Sequence, residues 1–170
     1  IYKEYKGTRQ KMPEELIPQF DLLKTLLCAM NIAIYEVDGY EADDILGTFA
    51  RIAYETDMEA LLVTGDRDVL QLVSPNTRVL ITQKGISNVR VFDIDEVKKE
   101  YGLTPAQIID LKALMGDSSD NIPGVPGIGE KTALKLLHRY GTVEGIYEHL
   151  NEITSKLGEK LRENRSLADL

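Results

Sequence analysis

The stretch Leu114-Met-Gly-Asp117-Ser-Ser-Asp120-Asn-Ile-Pro-Gly-Val-Pro-Gly127-Ile-Gly129-Glu-Lys131-Thr-Ala-Leu-Lys135-Leu-Leu137 decides how this chain is read. Its first half carries two carboxylates at i, i+3, a spacing expected to put Asp117 and Asp120 one helical turn apart. Its second half is a glycine hairpin opening onto a helix. Small residues let a backbone approach a ligand closely, and free N–H groups at a helix start favour phosphate. Gly124, Gly127, Gly129, Lys131, Thr132 and Lys135 are therefore candidate contacts to a nucleic-acid backbone. Lys131 and Lys135 leave one face of that helix while Ala133, Leu134, Leu136 and Leu137 point inward. The plainer reading is a tight helix-helix turn with incidental lysines.

Outward from this stretch, Thr104-Pro105-Ala106-Gln107 is a helix start, and Ile108, Leu111 and Leu114 give one apolar face up to a stop at Gly116. Asp93 with Glu96 marks an earlier helix start, and Gly102 its stop. Val143 to Leu150 and Ile153 to Arg162 read as short helices, and no strand pattern follows Phe92. The preceding part differs. Ala60 to Val63 reads as a buried strand, Val69 to Val73 as a short helix, and Arg78 to Thr82 with Asn88 to Phe92 as a hairpin about Gly85. Ile32 to Val37 is β-rich and is expected as a further strand, ended by Gly39. Leu16, Phe20, Leu23, Leu27 and Met30 recur at helical spacing with Pro13 or Pro18 in the first turn, and Cys28 beside them reads as core. Ala42, Ile45, Leu46, Phe49 and Ala53 repeat that period. The expected fold is α/β: a Rossmann-like, mainly parallel sheet with helices over residues 1–92, then an all-helical unit over residues 93–170.

The 170 residues hold 20 basic and 28 acidic side chains, and a balance of −8 taken as an average argues against a nucleic-acid binder. Position overrides the average. Seven acids form three tight groups: Glu41, Asp43 and Asp44; Asp66 and Asp68; Asp117 and Asp120. Setting those seven aside as metal ligands moves the balance from −8 to −1. Acids in a first helical turn suit the helix dipole, but three within four residues exceed what a cap needs. In an open α/β sheet ligands gather beyond the carboxyl ends of the strands, where the Glu41 and Asp66 groups both fall. Like charges meeting there require a cation between them. An oxygen-only donor set, with no Cys or His beside it, selects a hard ion such as Mg²⁺ or Mn²⁺. The competing reading is three unrelated capping or solvated clusters. A single cysteine excludes a disulfide framework, and no apolar run approaches the roughly 20 residues of a membrane span. No signal-peptide pattern opens the chain, so a cytoplasmic setting is expected. Starting at Ile1 in charged sequence, the chain reads as a piece of something longer.

Gly39-Tyr-Glu41-Ala-Asp43-Asp44, Thr64-Gly-Asp66-Arg-Asp68, Gly116-Asp117-Ser-Ser-Asp120-Asn121 and Gly124-Val-Pro-Gly-Ile-Gly-Glu-Lys-Thr-Ala133 stand in that order along the whole chain. Together they resemble the 5′-nuclease (flap endonuclease) domain family of bacterial DNA polymerase I. The resemblance implies a PIN-like fold and two Mg²⁺ or Mn²⁺ ions held by Glu41, Asp43, Asp44, Asp66, Asp68, Asp117 and Asp120. Tyr5-Lys6-Gly-Thr-Arg9 is similar to the family's helical gateway, so Lys6 and Arg9 would act catalytically on the scissile phosphate. The glycine hairpin would be a helix-three-turn-helix element that grips 5′-flap, nicked or branched duplex DNA without regard to sequence, with K⁺ on its carbonyls. Implied too are 5′-3′ exonuclease or flap endonuclease activity in replication and repair, a polymerase domain joined to the same parent chain, and a place in the bacterial nucleoid. The family's N-terminal strand with its metal-binding Asp, and a further Asp before the gateway, have no counterpart here. A fragment is therefore expected, with a non-catalytic DNA-binding module as the alternative to a nuclease.

Overall fold

A computed structural model describes residues 2–84 and 88–169. Among the described residues, helices α1 (Ile17–Ala29) and α2 (Ala42–Glu55) precede a sheet of three strands, β1 (Ala60–Thr64), β2 (Thr77–Lys84) and β3 (Asn88–Phe92), in the order β1-β2-β3. β1 and β2 are parallel with Leu62 beside Val79, while β2 and β3 are antiparallel with Val79 beside Phe92. The sheet is mixed, not mainly parallel. A parallel step needs a crossover, here the 3₁₀ turn Asp68–Leu72, whereas the expected hairpin sends β3 straight back along β2. Gly85, the expected centre of that hairpin, lies outside the described residues.

Strand alternation puts Leu62, Val79, Ile81 and Phe92 on one face, where all are buried beneath Leu70 of the 3₁₀ turn and Ala50 of α2. Leu61, Val63, Val89 and Val91 line the other face and are exposed. Two expectations fail beside this sheet. Ile32 to Val37 forms no strand, since a strand needs a ladder partner and none pairs with it among the described residues; Tyr35 instead meets Phe49 of α2 edge-on, ring centroids 4.9 Å apart. Helix α1 has Pro18 in its first turn but buries no residue, and Leu16, Phe20, Leu23, Met30 and Cys28 are exposed. Periodicity correctly marks an apolar face there, but reading that face and Cys28 as core is corrected, because burial requires a surface opposite.

After the sheet come α3 (Ile94–Tyr101), α4 (Gln107–Met115), α5 (Glu130–Tyr140), α6 (Val143–Glu148), α7 (Ser155–Glu163) and α8 (Arg165–Ala168). Asp93 caps α3 by accepting Glu96 N–H at 2.8 Å, and Gly102 at φ +67° ends it. Val97 of α3 is buried in the sheet's core, and the second core opens at Leu103 and centres on Leu114, Leu137, Ile146 and Leu161. A division at 92 would therefore part α3 from the core it fills. No helix among the described residues is long and apolar enough to cross a membrane.

Asp117 and Asp120 do not share a helical turn. Gly116 at φ +73° takes the chain out of α4, and Asp117 and Ile122 then exchange N–H···O bonds of 2.8 Å across a tight turn. Gly124, at φ +56°, lies back to back with Gly116, and a Cβ on either would collide with the other's backbone. This glycine pair, rather than helical spacing, sets where the two acids stand.

Candidate metal centre and nucleic-acid interface

At the carboxyl end of β1, Thr64 Oγ1 accepts Asp66 N–H at 3.0 Å and Asp66 Oδ1 accepts Asp68 N–H at 2.9 Å, which fixes both acids just past the strand. Asp43 stands in the first turn of α2. Burial, followed by the charges of Asp66, Glu41 and Asp68, raises its carboxyl above the usual range. Burial also raises Asp68, Lys112 opposes that rise, and Asp66 and Asp117 add to it. These repulsions join the three acidic groups into one electrostatic site. Asp44 also caps α2: its Oδ2 accepts Glu41 N–H at 2.8 Å, which leaves Oδ1 without a role in the cap.

Cations from two segments thread the acids. Lys112 Nζ of α4 lies 2.7 Å from Asp68 Oδ1 and 2.6 Å from Asp117 Oδ2, tying the sheet unit to the helical unit. Lys6 pairs with Glu41 and Arg9 with Asp120, while Tyr5 OH lies 3.3 Å from Glu41 and 3.2 Å from Asp120. Lys6 N–H donates to Asp120 O at 2.8 Å and Asn121 Nδ2 to Glu4 O at 2.7 Å, so residues 4–9 are laid along the Asp117 turn. Burial would raise the Asp117 carboxyl, but hydrogen bonds from Lys112 and Ser119 hold it well below the usual carboxylate range.

Sequence reasoning missed Lys112, Ser119 and Asn121. Lys112 sits among the apolar residues that define α4, and a periodicity reading passes over it. Its one signal is a position five residues before Asp117, a cation just upstream of a carboxylate pair.

Among the described residues no three of these acids converge closely enough to hold a metal ion as they stand. The donor chemistry nevertheless suits a hard divalent cation. Every donor is a carboxylate oxygen, and Asp68 Oδ1 is buried with the Lys112 ammonium 2.7 Å away as its counter-charge.

The hairpin glycines divide by role. Gly124 is buried against Gly116, whereas Gly127, at φ +79°, and Gly129 are exposed, and a Cβ on Gly129 would meet nothing within 4 Å. Gly129 is the N-cap of α5, whose opening N–H groups have no partner inside the helix. Lys131 and Lys135 are exposed one turn apart and Thr132 is half-buried. Arg139, the next step along, is drawn to Glu152 at 3.1 Å.

Residues 1–102 match the model of the 5′-3′ exonuclease N-terminal resolvase-like domain, and residues 103–170 that of the 5′-3′ exonuclease C-terminal SAM fold. The chain belongs to the 5′-3′ exonuclease family. It is 54% identical over 168 residues to DNA polymerase I of Bacillus caldotenax, covering 98% of this chain and 19% of that protein. It thus spans about a fifth of the length of the polymerases it matches. Among solved structures, the bacteriophage T5 5′-exonuclease with bound zinc aligns with TM-score 0.80 and 26% identity, over 97% of this chain and 64% of that one. The T5 flap endonuclease in a pseudo-enzyme-product complex with DNA and metal ions aligns at 0.79 and 26%, with the same coverage. The family division at 102 and 103 falls just before Leu103, the first residue of the second hydrophobic core, while Ile108 beyond it still packs into the sheet's core.

Proposed function

We propose that this chain carries the 5′-nuclease site of a DNA polymerase I and hydrolyses phosphodiester bonds at 5′ flaps or 5′ ends of duplex DNA in bacterial replication and repair. The observation that carries the reading is the mutual repulsion of three acidic groups, threaded by Lys112, Lys6 and Arg9, beside an exposed glycine hairpin. Glu41, Asp43, Asp44, Asp66, Asp68, Asp117 and Asp120 would hold two Mg²⁺ or Mn²⁺ ions. When bound, these supply Lewis acidity toward the phosphate and lower the pKa of the attacking water. Lys6 and Arg9, freed from their carboxylates, neutralise the scissile phosphate. Exposed Gly127 and Gly129 admit the duplex backbone, Lys131 and Lys135 add charge beside it, and the hairpin carbonyls suit K⁺. The parent chain would join this unit to a polymerase domain and act on chromosomal DNA in the cytoplasm.

The test is cleavage of a 5′-labelled flap duplex with Mg²⁺, with Mn²⁺ and with EDTA, by wild type, Asp43→Asn and Asp68→Asn, alongside flap binding in Ca²⁺. Metal-dependent cleavage that falls by orders of magnitude in both variants while binding persists is the expected result. Cleavage indifferent to EDTA or to both variants overturns it. A second reading is favoured by the absence, among the described residues, of three acids gathered at one point: the chain binds branched duplex and does not cut. Binding without cleavage at any metal concentration would establish that reading.

A further inference from the structure

We infer that Lys160 of α7 is a further DNA-binding residue, a cation seated on the glycine hairpin that meets the same stretch of DNA backbone as the α5 lysines; this rests on the hairpin's proposed contact with duplex DNA. A Cβ built on Gly127 would stand 2.5 Å from Lys160 Nζ, so the lysine amine lies directly over this turn. Gly127 is exposed and adopts φ +79°, and Lys160 is exposed as well. Arg139 is engaged with Glu152 and Arg165 with Asp169, whereas Lys160, like Lys131 and Lys135, has no ion pair among the described residues. Its stem crosses from α7 to the turn, a route that costs a flexible side chain conformational freedom. A charge held over an exposed turn that leads into a helix start, where the first N–H groups lack partners inside the helix, suits phosphate. Gly127 therefore has two tasks: it supplies the left-handed turn, and by lacking a side chain it leaves room for the amine. Lysines from two different helices would then converge on one stretch of DNA backbone, Lys131 and Lys135 from α5 and Lys160 from α7. Such a grip reads charge spacing and not base identity.

The experiment is a salt titration of binding to two unrelated duplexes in Ca²⁺, by wild type, Lys160→Ala, Lys160→Arg, Lys131→Ala and Arg162→Ala. Arg162 lies on the same helix turned about 200° away. Each lost phosphate contact flattens the slope of log affinity against log salt by about 0.9. Lys160→Ala should flatten it by about one unit on both duplexes with an unchanged thermal midpoint, Lys160→Arg should restore it, and Arg162→Ala should leave it as in wild type. A slope changed by Lys131→Ala but not by Lys160→Ala overturns the inference and leaves the hairpin reading standing. A slope changed by neither removes the hairpin reading itself, and the inference with it. Equal flattening by Lys160→Ala and Arg162→Ala would show only a diffuse effect of net charge, which also overturns it.

Discussion

In the helical unit Leu114, Leu137, Ile146 and Leu161 are each at most 1% exposed, whereas Leu61 and Val63 of β1 in the sheet unit are 51% and 60% exposed. Both regions carry the apolar pattern expected of packed elements. In one, helices α4 to α8 close on each other; in the other, a single sheet face is covered and α1 buries nothing. An amphipathic pattern states which side of an element is apolar, and only a facing surface turns that side into core. The first way to break the comparison is to remove a large side chain from each region. Leu114→Ala should cost about 2–5 kcal/mol, the usual range for a buried leucine that leaves a cavity. Leu61→Ala should stay within about 0.5 kcal/mol, as for a surface site. Urea unfolding of both variants checks this, and equal losses would show that the open face is covered in solution.

The hairpin offers the same contrast within a few residues. Gly124 is locked against Gly116 with a positive φ, while Gly129 is open at φ −98°. Gly124→Ala adds left-handed strain of about 1–2 kcal/mol to a collision with the Gly116 backbone, so a loss of at least about 2 kcal/mol is expected. Gly129→Ala should cost under about 1 kcal/mol, the scale of a changed helix cap, yet weaken duplex binding by placing a methyl where phosphate approaches. Thermal midpoints and duplex titrations separate the two. An unstable Gly129→Ala with normal binding would reverse the assignment of structural and contacting glycines.

This contrast also explains what the sequence made legible. Every helix start read from Asp93, Thr104 and the hairpin, and the pairing of residues 78–92, depends on neighbours in the chain, and all are present in the structure. The strand expected at Ile32 to Val37 depends on a distant partner, and local β preference does not supply one. The acids at Asp66 and Asp68 follow a strand end and were readable. Asp117 and Asp120 were readable as a pair, but not their arrangement, because i, i+3 spacing suggests a helical turn and the Gly116–Gly124 contact joins residues eight apart. Lys112 was hidden for a similar reason: its two partners, Asp68 and Asp117, belong to different units.

That bridge yields a smaller, pH-dependent effect. Hydrogen bonds from Lys112 and Ser119 outweigh burial and depress the Asp117 carboxyl, so its stabilisation is fully present above the ordinary Asp value of about 3.9 and is lost as pH falls through the lower folded value. Asp117→Asn should therefore cost about 1 kcal/mol at pH 7, the order of one net hydrogen bond. The gap from wild type should close as pH falls from 4 toward 2. A gap that stays constant over that range would mean the Lys112 contact contributes nothing through charge.

The smallest effect, of opposite sign, belongs to Asp110 in the helical unit. It lies on α4, and its Oδ1 accepts Val143 N–H at 2.9 Å, so it ties the start of α6 to α4. Burial raises its carboxyl above the ordinary value; the Val143 bond opposes this, and Glu144 adds to it. A raised carboxyl means that the folded state binds the proton more tightly than the unfolded chain. The associated stability is present below the unfolded value and is lost as pH rises through the folded one. Asp110→Asn keeps an oxygen for Val143 N–H but carries no charge into the partly buried position. It should raise the thermal midpoint slightly at pH 7 and leave it unchanged at about pH 3, where Asp110 is largely protonated. Asp110→Ala, which removes the acceptor, should lower the midpoint at both pH values, because Val143 N–H then loses its partner. If Asp110→Asn lowers stability at pH 7, the charge itself holds Val143, and the helical unit depends on an ionised cap as the acidic site depends on its lysines.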